Sequence, residues 1–234
     1  MLAASLFAAL SIAFAATSGN AAGKPGLSAA LTRTSELTSV HYAVRVGIRE
    51  NGMPSALKIR GQSDAHTFSV HFAAQGASGG ELVYGPFLYQ EAPDGVAVGR
   101  VRWLRMTLSR VPANSQLLVV LHALKIAPLL RVIGRGHLQR SSAGSVYRGP
   151  VAYDDPVVRA SLEHLTGGLE FRQLQLTVHV GGGLIHRLVL TGTTADGSST
   201  LRLAARLFAF NRPVHVTPPE PGTFVDLELE QLSE

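Results

Sequence analysis

From Val40 the chain alternates. Val40, Tyr42, Val44, Val46 and Ile48 fall on one side of an extended backbone, and His41, Arg45 and Arg49 on the other. Successive side chains of a strand point to opposite faces, so this pattern predicts a strand with one buried and one wet face. Asn51-Gly52 follows as a hairpin signal. Leu57 and Ile59 then alternate with Lys58 and Arg60, and Phe68, Val70 and Phe72 with Ser69 and His71. Further strands are predicted over residues 81–84, 87–90, 96–98 and 101–108, punctuated by Gly79-Gly80, Gly85-Pro86 and Pro93-Asp94-Gly95. A second set runs over 171–180, with a slip at Gln173 that suits a bulge, and over 184–191 and 200–210. Gly181-Gly182-Gly183 and Ala195-Asp196-Gly197-Ser198 supply its turns. Residues 214–216 read as a short strand. The tail, 224–232, alternates apolar residues with Asp226, Glu228 and Glu230, as a strand with a solvated acidic face does.

Three segments carry helical spacing instead. Leu27, Ala30, Leu31 and Leu37 predict a short first helix. Residues 115–132 form a Leu-rich helix that Asn114 or Ser115 can cap and Gly134 can end, with Pro128 kinking or dividing it after Lys125. It is apolar almost all round, so it is buried on several sides or touches lipid. Residues 156–165 form the third, with Asp155 as N-cap, Pro156 at the first position and Gly167 placed to stop it. About ten strands with hairpin spacing and few helices predict an α+β fold: a single large, curved, antiparallel sheet.

Ahead of the first helix, residues 1–22 contain no Asp, Glu, Lys or Arg. Leu2 to Ala16 has the length of a signal-peptide core, and Ala13-Phe14-Ala15 is an A-x-A cleavage site. Small polar residues take over at Thr17, short of the roughly 20 apolar residues a spanning helix needs. The expectation is a secretory signal or an N-terminal anchor over 1–22 and one domain over 23–234. The basic n-region of a usual signal is missing.

Composition narrows the classes. With 46% apolar and 16% charged residues, 234 residues can bury a sizeable core. There is no cysteine, hence no disulfide, thiolate metal site, thiol nucleophile or cysteine lipidation. The net charge of +5 is unevenly spread. Between Gly95 and Tyr153 there is no acid and nine basic residues, while the rest of the chain sums to −4. Eighteen of the 21 basic residues are arginine, the residue that grips phosphate or carboxylate with a planar fork. If these arginines share a face they attract anions; scattered, they are solvated surface. The secretory leader and the single tryptophan, Trp103, oppose nucleic acid as a partner.

Enzyme signatures are weak. Gly76-Ala77-Ser78-Gly79-Gly80 matches G-x-S-x-G, but a nucleophile elbow needs a following helix, and a strand follows here. Asp155 is explained by capping. His179 and His186 flank the Gly181–Gly183 turn without a third ligand, and Gly134-Arg135-Gly136 lacks the third glycine of a dinucleotide loop. No catalytic residue, metal or cofactor is therefore expected.

The order of elements resembles a family. A short helix leads into a meander ending in Phe87-Leu88-Tyr89 and Trp103. The Leu-rich helix, Gly134 to Gly149 and a second short helix follow. Then come the glycine-turn hairpin with Leu184-Ile185-His186-Arg187, and Phe210-Asn211-Arg212-Pro213-Val214-His215-Val216 with Pro218 and Pro219. This resembles the LolA-like fold, nearest to the LppX/LprG type of actinobacterial envelope lipoprotein, over about residues 27–227. The resemblance implies a half-barrel of antiparallel strands wrapped over helices around an apolar cavity for acyl chains. The chain departs from the lipoprotein pattern in having no lipobox cysteine, so a soluble secreted carrier fits better than a lipid-anchored one. The expected cavity lining is Tyr42, Val44, Phe68, Val70, Phe72, Leu176 and Val178, with Leu117, Leu121 and Leu124 from the Leu-rich helix. Arg100, Arg102, Arg131 and Arg135 are the expected contacts to an anionic headgroup or membrane surface. The expected function is an extracytoplasmic carrier of a lipid or acylated ligand in the bacterial cell envelope. The alternative is an envelope-sensing domain that binds a protein partner.

Overall fold

The alternation that opens at Val40 folds as a sheet. In the computed structural model, residues 25–64, 67–74, 77–92, 99–111, 126–142, 144–166 and 168–227 are described. The strands are β1 (Ser39–Glu50), β2 (Met53–Asp64), β3 (Phe68–Ala74), β4 (Ala77–Tyr84), β5 (Phe87–Glu91), β6 (Trp103–Thr107), β7 (Gln139–Arg140), β8 (Val146–Val151), β9 (Phe171–Gly181), β10 (Leu184–Thr194), β11 (Ser199–Phe208) and β12 (Phe224–Asp226). The helices are α1 (Pro25–Ser35), α2 (Ala127–Arg135) and α3 (Pro156–Thr166). All twelve strands join one curved sheet in the order β12-β6-β5-β4-β3-β2-β1-β11-β10-β9-β8-β7, antiparallel except for the β12–β6 pair.

Register puts the apolar rows on one face. Tyr42 pairs with Gly61 and Leu207, Val44 with Ile59 and Ala205, and Val46 with Leu57 and Leu203. The same rows continue through Leu188 and Val178, and through Leu190 and Leu176. Leu27 and Ala30 of α1, Leu129, Leu130, Val132 and Ile133 of α2, and Val158, Leu162 and Leu165 of α3 bury against this face in one core. α1 packs on β10 and α2, and α2 on α3. Leu174, Leu176, Leu188, Leu190 and Leu203 are almost completely buried; each such side chain contributes about 1.5–3 kcal/mol relative to exposure.

Local chemistry sets the turns. Asn51 and Gly52, at φ 48° and 85°, make the β1–β2 hairpin, and Gly182 and Gly183, at φ 56° and 77°, the β9–β10 hairpin. Left-handed pairs of this kind match the twist of the flanking strands. The Asp155 carboxylate accepts the Val157 N–H at 2.8 Å and the Val158 N–H at 3.3 Å, which caps α3. The bulge near Gln173 falls at Arg172, where the register to β10 jumps from Gln173–Thr193 to Phe171–Thr194.

Several expectations are corrected. Gly79-Gly80 is not a turn but lies inside β4. A Cβ at Gly79 would sit 2.7 Å from the Phe72 ring, so the glycine makes room for that ring across the strand pair. Gly134 does not end its helix: α2 runs to Arg135, and Gly136 at ψ 140° breaks it. The described helix begins at Ala127 with Pro128 in its first turn, where a missing N–H costs nothing; 112–125 lie outside the described residues. The strand ending at residue 210 stops at Phe208, because Ala209 and Asn211 turn left-handed at φ 52° and 53°. Residues 214–216 form no strand. They belong to a stretch tied to the sheet by Gln62 Nε2, which donates to the His215 carbonyl at 2.9 Å. Strands β7 and β8 were not expected, since Gly149-Pro150 interrupts the apolar signal of Val146, Tyr147 and Val151. Residues 1–22, 96–98 and 228–232 lie outside the described residues.

The tail strand is not simply solvated. Arg105 Nε and Nη2 donate to the Asp226 carboxylate at 2.6 and 2.7 Å, and the guanidinium lies 4.6 Å from the Phe87 ring centre and 4.3 Å from that of Phe224. Arg105 thereby holds the Asp226 carboxyl below its usual range.

Candidate functional site

The helix-side face of the sheet is filled unevenly. On the β8–β11 half, Leu174, Leu176, Val178, Leu188, Leu190 and Leu203 are buried under the helices. On the β1–β4 half, Ile48, Leu57, Phe72 and Val83 point to the same face and stay half-buried. Val46, Ile48, Leu57 and Ala74, with Ser55 and Leu165 of α3, line a recess of about 210 Å³ there. That is smaller than the roughly 300–1,000 Å³ of ordinary ligand pockets.

Of the expected lining residues, Tyr42, Val44, Phe68, Val70, Leu176 and Val178 are buried on this face and Phe72 is half-buried beside them. Leu117, Leu121 and Leu124 lie outside the described residues. Tyr42 is laid over its cross-strand partner: a Cβ at Gly61 would be 2.3 Å from the Tyr42 Cζ and Oη. The hydroxyl is buried without a hydrogen-bond partner, and burial pushes the phenol up from its ordinary range.

One polar residue on this face escaped the sequence reading. Glu81 of β4 is 2% exposed, between Val70 of β3 and Gln90 of β5. Its Oε2 has no hydrogen-bond partner among the described residues, and desolvation pushes the carboxyl up to about 7. The signal was available in register: Val83 faces the core, so Glu81, two residues back, shares its face. The adjacent Leu82 and Val83, both apolar, obscured it.

The four expected anion contacts come from two segments. Arg100 and Arg102 are exposed in the approach to β6 at one side of the sheet. Arg131 and Arg135 are exposed on α2, which packs on α1 and α3. Arg135 lies 3.7 Å from the Asp155 carboxylate, an acid from outside the acid-free segment.

Ser78 pairs with Ala73 in mid-ladder. His186 is the extra residue of a bulge, its Nε2 2.9 Å from the Gly181 carbonyl and its ring 4.9 Å from that of Phe210, while His179 pairs with Arg187 on the next strand. Among the described residues no three His, Asp or Glu converge as a metal site. Among them, too, no helix is long and apolar enough to cross a membrane.

No protein-family model matches the chain, and no curated protein matches it. Among solved structures it is similar to LprF from Mycobacterium bovis, at 14% identity over 83% of this chain and 95% of that one, with a TM-score of 0.49. It is similar to the LolA superfamily protein NE2245 from Nitrosomonas europaea at 11% identity over 84% and 96%, with a TM-score of 0.34. A structure of the Pseudomonas aeruginosa MucA/MucB complex matches at 11% identity over 81% of this chain and 57% of that one, with a TM-score of 0.35. At such identities and TM-scores, the likeness says nothing of what this chain binds.

Proposed function

We propose that the protein is an extracytoplasmic carrier of the bacterial cell envelope that holds a lipid or acylated ligand against the helix-side face of its sheet, without catalysing a reaction. The observation that carries this reading is the uneven filling of that face. Ile48 and Leu57 remain half-buried around an apolar recess, while Leu174, Leu176, Leu188 and Leu190 on the opposite half are buried. An apolar chain entering the recess removes this surface from water at about 25 cal/mol per Å². In this reading residues 1–22 direct export. Arg131 on α2, or Arg100 and Arg102 ahead of β6, then meets an anionic headgroup or membrane surface.

The test is mass spectrometry of an organic extract of the purified full chain and of Leu57→Asp. A carboxylate in the recess must be desolvated or must expel the apolar chain. Wild type should carry an acyl compound that the variant lacks, with the variant's fold confirmed by circular dichroism. Absence of any acyl compound from wild type, or equal lipid in a folded variant, would overturn the reading and favour a protein-binding domain.

A further inference from the structure

The opposite face of the sheet carries an unexpected charge pattern. Register aligns His71, Arg60, Ala43, Arg206, Arg187 and His179 in one row across β3, β2, β1, β11, β10 and β9. Gln62, His41 and Phe208 form the next row on one side, and Lys58 and Arg45 stand directly opposite each other on the other side. Arg206 likewise stands directly opposite Arg187. Like charges facing each other across a strand pair destabilise a sheet. Arg60, Arg206, Arg187, Arg45 and Lys58 are exposed, and among the described residues no hydrogen bond or ion pair engages them.

Among the described residues, carboxylates reach the margins of this patch. Glu91 approaches Gly80 beyond the His71 end of the row, and Asp64, at the end of β2, accepts the Thr67 N–H at 2.7 Å. Partial burial, then Arg187 and Arg148, hold His179 below the ordinary imidazole range.

Shape adds to charge. Ala43 is a one-carbon gap between two arginines whose strands flank its own, so their Cα atoms are about 10 Å apart. Around it lies a pocket of about 540 Å³, walled by Arg60, Arg206, His41, His71, Gln62 and Phe208. The His41 Nε2 is buried without a hydrogen-bond partner among the described residues. Phe208 is 45% exposed at the wall.

We propose that this outer pocket is a second binding site, in which Arg60 and Arg206 clamp the phosphate group of an organic phosphate above Ala43. A tetrahedral phosphate ester turns its terminal oxygens toward both guanidinium groups, whereas a planar carboxylate presents its two oxygens to one fork. The volume exceeds a bare phosphate and falls within the range of ligand pockets, leaving room for an organic group against Phe208. The site is on the face opposite the apolar recess and does not depend on what the recess holds.

Calorimetric titration of the full chain with glycerol 3-phosphate tests the site, with malonate as a carboxylate control. Flotation on phosphatidylglycerol and phosphatidylcholine vesicles distinguishes the source of the phosphate. The variants are Ala43→Glu and the Arg60→Gln, Arg206→Gln double substitution, each checked by thermal unfolding. Glycerol 3-phosphate should bind saturably, at least tenfold more weakly to either variant, and more weakly as salt screens the charges over roughly 8 Å. Flotation on phosphatidylglycerol alone, displaced by glycerol 3-phosphate, identifies a lipid headgroup. Binding of the soluble ester without flotation identifies a free phosphate ester. No saturable binding to either probe, equal binding of malonate, or unchanged binding in both folded variants would overturn the proposal.

Discussion

Replacing Glu81 with glutamine should abolish most of the loss of stability that the wild type suffers as pH rises from 5 to 8. Glu81 is 2% exposed, flanked on β3 and β5 by Val70 and Gln90, neither of which titrates. Its carboxyl is pushed up from 4.5 to about 7 by desolvation. A folded-state value above the unfolded one means that folding favours the protonated acid. The stability this contributes is fully present below pH 4.5 and is lost as pH rises through about 7. At about 1.4 kcal/mol per unit, the gap amounts to about 3 kcal/mol, most of it expressed between pH 5 and 8. His179, held low, runs the other way: its folded form loses stability as pH falls. That contribution is common to both proteins and cancels in their difference. Urea unfolding of wild type and Glu81→Gln at pH 5, 6, 7 and 8 measures the effect. The stability of the variant minus that of wild type should grow by about 2–3 kcal/mol across the series, with unchanged denaturant slopes. Parallel pH profiles would show that Glu81 ionises freely in the fold and would refute the burial argument.

Two further substitutions probe the framework. Gly61→Ala should destabilise by about 1–3 kcal/mol because the new methyl meets the Tyr42 ring, while Tyr42→Phe should be neutral or stabilising because it removes a buried hydroxyl without a partner; chemical unfolding of both reads the contrast. Asp155→Ala should cost about 1 kcal/mol through loss of the α3 cap, and Asp155→Asn should restore most of it.

Much of the sheet was legible because its strands have different faces. Alternation at Val40–Ile48, Leu57–Ile59 and Phe68–Phe72 assigned the core-facing residues, and Asn51-Gly52 and Gly182-Gly183 pinned two registers through their left-handed backbones. Legibility failed where a glycine served packing rather than turning. Gly79 reads as a breaker, yet it clears space for Phe72, a cause that exists only once β3 and β4 are side by side. Strand β8 was hidden for a related reason: a Cβ at Gly149 would meet the His137 carbonyl at 2.0 Å, so its glycine marks a close backbone approach. The candidate sites depended still more on tertiary register. Arg60 and Arg206 are 146 positions apart in sequence, and only the β2-β1-β11 order places them on either side of Ala43. The acid-free stretch drew attention to other arginines, one of which, Arg105, is tied to an acid from the tail.

Among the described residues, the open sheet of twelve strands has two margins, and both are very short. One is β12, three residues long, fastened by the Arg105–Asp226 pair; the other is β7, two residues long. Each leaves few unpaired amides and carbonyls for a second molecule to zip onto, and each carries charge in the form of Asp226 or Arg140. The wide sheet is thereby guarded against strand-to-strand polymerisation. The Arg105–Asp226 clip guards one of these margins by keeping β12 over the otherwise bare backbone of β6.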